Sequence, residues 1–398
     1  MKSNVKLLPF LLLLSLIVCG IEVDISVPGF PDMARYFSTT EDKIQLTLSL
    51  NFLGFCLSSL FWGPLSESFG RRNMLIIGNI LFALGGLGCA LGHSIEWIIA
   101  YRFFQGFGVS ATYIIASAMI ADTYQGKKAA RFNGILNCVV TASMAVAPII
   151  GGFINKYLGW RANYSSVAIL SVITLILVSL FIPETKPVKE PWNPKKTLGH
   201  YKTLFSNRKF LTFSFVPSII ISGYLSFLGI GAFLFIDQLG VSLIQYSIYQ
   251  GLIIGSFSLT SSFSDRILGA IGSRSSVVAG SVITSLSALT LVLQSYAYPE
   301  SAWLITLLMS LYCVGAALIM TVVFTDSMEV FPKIKGLSSA AVMFMRMFTC
   351  SAVIGLVGYL YNGTLFPIAC AILVLALAAA VLISGMYEPD APELVTVE

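Results

Sequence analysis

Twelve apolar runs, each about the length that crosses a bilayer, follow one another along this 398-residue chain. A bilayer core about 30 Å thick takes about 20 apolar residues per helical crossing. The runs cover roughly residues 7–28, 44–65, 74–92, 97–121, 132–157, 164–182, 210–236, 241–263, 276–295, 302–325, 337–361 and 366–386. Composition agrees with them. Only 11% of the residues are charged and 56% are hydrophobic, whereas an ordinary globular chain carries about 25% charged residues. Lipid must therefore cover most of the outside, and a soluble enzyme is excluded. The expected fold class is an all-α membrane protein.

The first run follows Lys2 and Lys6 and so has the look of a secretory signal, and residues 16–19 loosely resemble a lipoprotein cleavage box. A cleaved signal leads into a soluble domain. Here a second apolar run begins near Ile44, and Val18 is a poor residue before a cleavage site. The segment is read as the first membrane helix. The seven cysteines all sit in apolar runs without metal-ligand spacing and are expected to act as small hydrophobes. His93 and His200 fall in expected loops, so neither a metal site nor a cofactor is expected.

The longest polar stretch, residues 184–209, is rich in Lys and Pro. It divides the chain into a first six-helix unit (1–183), a cytoplasmic linker at most partly structured (184–209) and a second six-helix unit (210–398). Lys and Arg gather on the cytoplasmic side of membrane proteins. With the N-terminus inside, eighteen of them are cytoplasmic: Lys2, Lys6, Arg71, Arg72, Lys127, Lys128, Arg131, seven in the linker, Arg266, Arg274, Lys333 and Lys335. Four (Arg35, Lys43, Lys156 and Arg161) lie on the other side, and Arg102 and Arg346 lie within spans. Both termini are thus expected inside. The halves also echo each other. Asp122 and Asp326 each end a helix, a short basic loop follows, and the next helix carries Gly151 and Gly152 or Gly355 and Gly358. Internal repeats of this kind mark transporters that rock about a midplane site.

The loop between the second and third runs reads Gly63-Pro64-Leu65-Ser66-Glu67-Ser68-Phe69-Gly70-Arg71-Arg72. Gly63 is expected to let two helices approach closely, and Gly70 to permit a tight turn. Glu67 is expected to sit near a helix terminus or to pair with Arg71 or Arg72. With Asp122, these groups form a candidate conformational latch. The segment resembles the signature loop of the major facilitator superfamily. Tyr101-Arg102-Phe103-Phe104-Gln105-Gly106 resembles that superfamily's helix-four motif, and Ala147-Pro148-Ile149-Ile150-Gly151-Gly152-Phe153 with Gly159-Trp160-Arg161 resembles its antiporter motif. Asp24-Ile25-Ser26-Val27-Pro28-Gly29-Phe30-Pro31 resembles the helix-one pattern of Bcr/CflA-type drug-resistance transporters, as do Ala232–Asp237 and Glu329–Pro332. The resemblance spans essentially the whole chain. It implies two pseudo-symmetric six-helix bundles in a bacterial inner membrane and a proton-coupled exporter of small organic compounds such as antibiotics, or of siderophores. Glu67 replaces the usual Asp, Ser26 a common Tyr, and Glu22 is an acid outside the pattern.

Ionisable groups inside a bilayer are costly and need a partner or a water-filled cavity. Asp24 and Arg102 fall at similar depths, roughly 8–10 Å from the same surface by helical rise, so they are expected to pair. The pair serves either proton coupling or structure alone. Glu22 points roughly 200° from Asp24 on a helix, towards another helix, a cavity edge or a proton site of its own. Arg346 lies near mid-bilayer, where a substrate anion or backbone carbonyls would satisfy it. Tyr113 and Tyr224, whose polar tips need partners, are the first candidates for a substrate cavity, followed by Phe227 and Tyr249. Pro148 removes a backbone hydrogen bond and Gly151 and Gly152 allow close packing, which fits a hinge or a simple tight contact. No phosphate-binding loop or catalytic triad is present, which disfavours an ATP-driven pump. The expected partners are a small-molecule substrate, protons and the bilayer, with no nucleic acid, in a monomer. A receptor that kept the fold without transporting is the rival from another class.

Overall fold

In the computed structural model, residues 2–124, 126–188 and 191–386 are described. Lys189 and residues 387–398 of the expected second unit lie outside the described residues, as do the side chains of Lys2, Lys6, Lys127, Asp265 and Lys333. Every regular element among the described residues is helical: α1 Lys2–Asp24, α2 Phe30–Phe37, α3 Glu41–Phe69, α4 Arg71–Leu91, α5 Ile95–Thr123, α6 Gly126–Leu158, α7 Trp160–Phe181, α8 Pro194–Ser206, α9 Arg208–Ala232, α10 Leu243–Ser262, α11 Ser264–Ile271, α12 Ser273–Ala297, α13 Ala302–Glu329, α14 Lys335–Leu360 and α15 Leu365–Met386. Hydrocarbon offers the backbone no hydrogen bonds, and helices satisfy their own.

Eleven described helical segments are long and apolar enough to cross a membrane. The remaining one of the expected twelve, α10, has the length at 20 residues, but Gln245, Tyr246, Gln250 and a Ser/Thr-rich end dilute its apolar character. The first span is longer than expected. It runs Leu7–Phe37, broken at a short 3-10 turn over Val27–Gly29 that starts α2. Pro28, which has no N–H to give, sits in that break. Asp24 ends α1 and therefore lies at the break, about thirteen residues or roughly 20 Å from the span's end.

Two joints show why the chain turns where it does. Gly70 between α3 and α4 has φ 100°, and Gly272 between α11 and α12 has φ 81°. A side chain disfavours that region, so glycine alone takes it readily. The two glycines stand in corresponding loops of the two halves. Part of the linker is structured, as α8. Asn193 accepts from the Lys196 amide at 3.0 Å and Pro194 opens α8, a good N-terminus for a helix. His200 thus lies in a helix, not a loop. Tyr201 and Leu204 bury the inner face of α8.

Helices α1–α7 pack among themselves, and so do α9–α15. Two long seams join the halves, α3 on α14 and α6 on α10. On the first, Ser49 and Ser351 exchange hydrogen bonds, each hydroxyl donating to the other's carbonyl at 2.8 Å. Gly355 faces Ser49 there and Gly358 faces Gln45. On the second, Gly152 faces Ser247, and Ser258 donates to Thr141 at 3.2 Å. Small and hydroxyl-bearing residues therefore line both seams, in line with the internal repeat.

Inside the first half, α3 and α5 cross with backbones almost touching. Gly54 lies on the Phe103 carbonyl and Gly106 on the Asn51 carbonyl, with no room for a Cβ at either. Gly106→Leu is expected to cost at least about 1–3 kcal/mol by overpacking, seen as a lower melting temperature of the detergent-purified protein. Gly63, expected to make such an approach, does not: a Cβ there would meet only Ile114 at 3.9 Å. The close crossing falls nine residues earlier, where α3 meets α5.

Candidate transport site

The signature loop forms a compact charged cluster at one end of the first half. Arg71 is nearly buried. Its Nε donates to Asp122 at 3.0 Å and its Nη1 to Ser66 at 2.6 Å, with Glu67 at 3.7 Å. Arg72 donates to the Ser179 carbonyl at 2.8 Å. Sequence reasoning missed Glu184, which it left as the start of the linker. Its carboxylate accepts from the Arg71 and Arg72 amides at 3.0 and 3.2 Å, neutralising the N-terminal end of the α4 dipole. An acid one turn past the end of a span was the available signal. All these groups belong to the first half or its exit, so the cluster braces that half. Beside it, Tyr201 of the linker helix donates to the Leu60 carbonyl at 2.8 Å. Burial, with Glu67 nearby, raises the Tyr201 hydroxyl above its ordinary pKa, so it stays protonated and can donate.

The opposite end is closed across the halves. Arg35 donates to Asp237 at 2.7 Å and to Asp32 at 2.8 Å, and Asn155 donates to Asp32 at 2.7 Å. In the sequence Arg35 is only one of the basic residues outside the cytoplasmic set, and Asp237 only the end of a motif. Nothing in one sequence brings residues 202 positions apart together. Gly151 lies on the Ile25 carbonyl at the break in the first span. Gly151 and Gly152 of α6 thus touch both the break after α1 and Ser247 of α10.

Between these ends lies a cavity of about 220 Å³. The first half supplies Cys19, Glu22, Asp24 and Tyr113, and the second supplies Tyr224 and Arg346. Tyr113 and Tyr224 line it as expected, but Phe227 and Tyr249 do not. Phe227 is fully buried against Phe235, and Tyr249 packs between Phe235 and Trp303. Both sit towards the closed end, where the helices converge and leave no space.

The buried charges pair differently from expectation. Arg102, 0% exposed, pairs through Nη1 with Glu22, itself 2% exposed. The same nitrogen donates to Gln105 at 2.9 Å, and the guanidinium lies 5.7 Å from the Tyr164 ring centre. Asp24, expected in that place, is buried at 1% exposure with no hydrogen-bond partner for either carboxylate oxygen. Depth was judged from helical rise, but azimuth decides contact. Glu22 and Asp24 project to different sides of α1, and the side facing α5 belongs to Glu22. Asp24 lies within electrostatic reach of Tyr113, Tyr224 and Tyr246 instead. Arg346 has Phe324 at 5.6 Å from its guanidinium carbon to the ring centre and the Met343 sulfur at 4.0 Å. Its Nε has no partner, so backbone carbonyls do not satisfy that atom.

The comparisons agree with this architecture. The chain is 28% identical over 386 residues to the uncharacterized MFS-type transporter YdgK of Bacillus subtilis, covering 95% of each chain. It is 28% identical to multidrug resistance protein D of Escherichia coli over 86% of this chain and 85% of that one. It is 27% identical to the bicyclomycin resistance protein homolog of Haemophilus influenzae over 68% and 69%. The last two bear out the resemblance drawn from the helix-one motif. The fold matches a point mutant of the nucleoside transporter NupG with a TM-score of 0.75 at 17% identity, over 96% of this chain and all of that one. The sequence pattern of the Major Facilitator Superfamily covers residues 12–354. The chain therefore belongs to the Major Facilitator Superfamily: it is a multi-pass membrane transporter and not an enzyme.

Proposed function

We propose that the chain is a proton-driven antiporter that exports small organic compounds across a bacterial inner membrane, with both termini cytoplasmic. The two six-helix units, 1–183 and 210–398, rock about the central cavity, and the linker 184–209 tethers them. The observation that carries this reading is the contrast between the two acids of α1. Glu22 is neutralised by Arg102 in the same half. Asp24 stands in the cavity without a partner. A bare carboxylate is expensive there, so a proton or a cationic cargo group is what discharges it. Alternation between those two occupants is antiport. Pro148, Gly151 and Gly152 serve as the tight seam about which α6 moves against α1 and α10, and the Arg35–Asp237 pair holds the outer side shut.

Arg346 supports a second reading, a siderophore transporter of the same fold, because it offers the cavity a fixed positive charge. In proteoliposomes with an imposed pH difference, adding substrate should release protons, and an uncoupler should slow substrate movement to the rate in empty vesicles. Movement at an unchanged rate after the gradient collapses would sink proton coupling.

A further inference from the structure

Two charges of opposite sign face one cavity, and the protein pairs neither. Asp24 comes from α1 in the first half and Arg346 from α14 in the second. Both Asp24 oxygens and the Arg346 Nε lack partners. The two groups differ in what can relieve them. Asp24 can take a proton, but a guanidinium does not lose one in a protein. Arg346 therefore keeps its charge in every state and calls for an anion from whatever enters. Between them the lining is soft and apolar: Met144, Met320, Met343 and Met347, with Phe55 and Phe257. Methionine fills irregular shapes and packs well on aromatic rings.

Charge arithmetic then selects the cargo. Glu22 and Arg102 cancel. With Asp24 protonated the cavity carries a net positive charge, and a simple anion binds best. Such an anion would travel with the proton. With Asp24 ionised the cavity is neutral overall but has two poles. A compound that competes with the proton must put a cation on Asp24, and one that also satisfies Arg346 must carry an anion. We infer that this cavity is a site for amphoteric compounds: an amine cation and a carboxylate or similar anion joined by an apolar or aromatic body, the amine on Asp24 and the anion on Arg346. The inference rests on the antiport reading for its competition with the proton. It names a substrate class that this reading leaves open.

The groups around Asp24 are Glu22 and Cys19 on α1, Tyr113 on α5, Tyr224 on α9, Tyr246 on α10 and Arg346 on α14, while Arg102 on α5 is engaged with Glu22. Helix α6 contributes only Thr141 and Met144 to the lining. Asp24 is thus the carboxyl there without an opposite charge beside it.

The test is equilibrium binding to the detergent-purified full chain, with no gradient. Three probes are compared: a zwitterionic arylpiperazine carboxylic acid, its methyl ester with the amine alone, and its N-acetyl derivative with the carboxylate alone. Each masked charge removes a charge-assisted contact, so the parent should bind about tenfold to a hundredfold more tightly than either derivative. Arg346→Ala should erase the gap between parent and ester while keeping that between parent and acetyl compound. Asp24→Asn should do the reverse. On acidification the parent should weaken while the acetyl compound strengthens. An ester that binds as tightly as its parent would overturn the inference, as would failure of the parent to bind. Because the ligands carry the changes, misfolding of a variant cannot mimic the main result. If the ratios hold while vesicles show no proton exchange, antiport fails and the two-pole site stands.

Discussion

Asp24→Asn is expected to bring substrate-induced proton release in proteoliposomes down to the level of empty vesicles, while the protein stays folded. The asparagine is nearly isosteric and carries no charge, so it removes a desolvated carboxylate from the cavity without leaving a counter-ion behind. Its melting temperature in detergent should be unchanged or higher. The double variant Glu22→Gln with Arg102→Gln serves as the comparison, because it removes both charges of the paired set together and leaves Asp24 in place. Full coupled flux in Asp24→Asn would show that the proton enters elsewhere, and Glu22 would then be the remaining acid of α1 to examine.

Glu22→Ala should be the most destabilising single change in the first half. It would leave Arg102 fully buried, with its charge unopposed and only Gln105 within hydrogen-bond reach of Nη1. Removing one partner of a buried ion pair costs about 3–5 kcal/mol. The expected result is a large fall in melting temperature or loss of monodisperse protein in detergent. The double variant, Glu22→Leu with Arg102→Met, removes both charges and keeps comparable volume, so it should recover most of that loss. If Glu22→Ala melts like the native chain, the pair is not the brace between α1 and α5 that the geometry indicates.

These two carboxylates also mark what can be read from one sequence. Membrane helices are legible because apolar length is a one-dimensional property. The turn at Gly70 was legible because the chain leaves no other residue there to take a positive φ. Helical rise misjudged the depth of Asp24, because the first span runs on past its break to Phe37. The direction in which a side chain points around its helix was not legible either, and Glu22 holds the place expected of Asp24. Gly63 misled because a glycine in a motif need not be the one at the crossing, and Gly54 fills that role. Phe227 and Tyr249 were assigned by residue type, yet taper at the closed end leaves them no cavity to line. The Arg35–Asp237 contact joins distant parts of the chain, and local pattern carries no trace of it. Polar residues on α10 do carry meaning: Gln250 donates to Tyr224 of α9, and Ser247 and Ser258 line the seam with α6.

Both members of the Glu22–Arg102 pair ride on the first half, so rocking of the halves neither makes nor breaks it. The pair is electrically silent. In the proposed antiport cycle, Asp24 is then the group in the cavity whose charge changes. If one proton enters for each net-neutral compound that leaves, one elementary charge crosses per turnover. Transport of that kind is electrogenic and draws about 2.3 kcal/mol from each 100 mV of membrane potential. A cell in alkaline surroundings, where the pH difference vanishes, would still run this transporter on voltage alone.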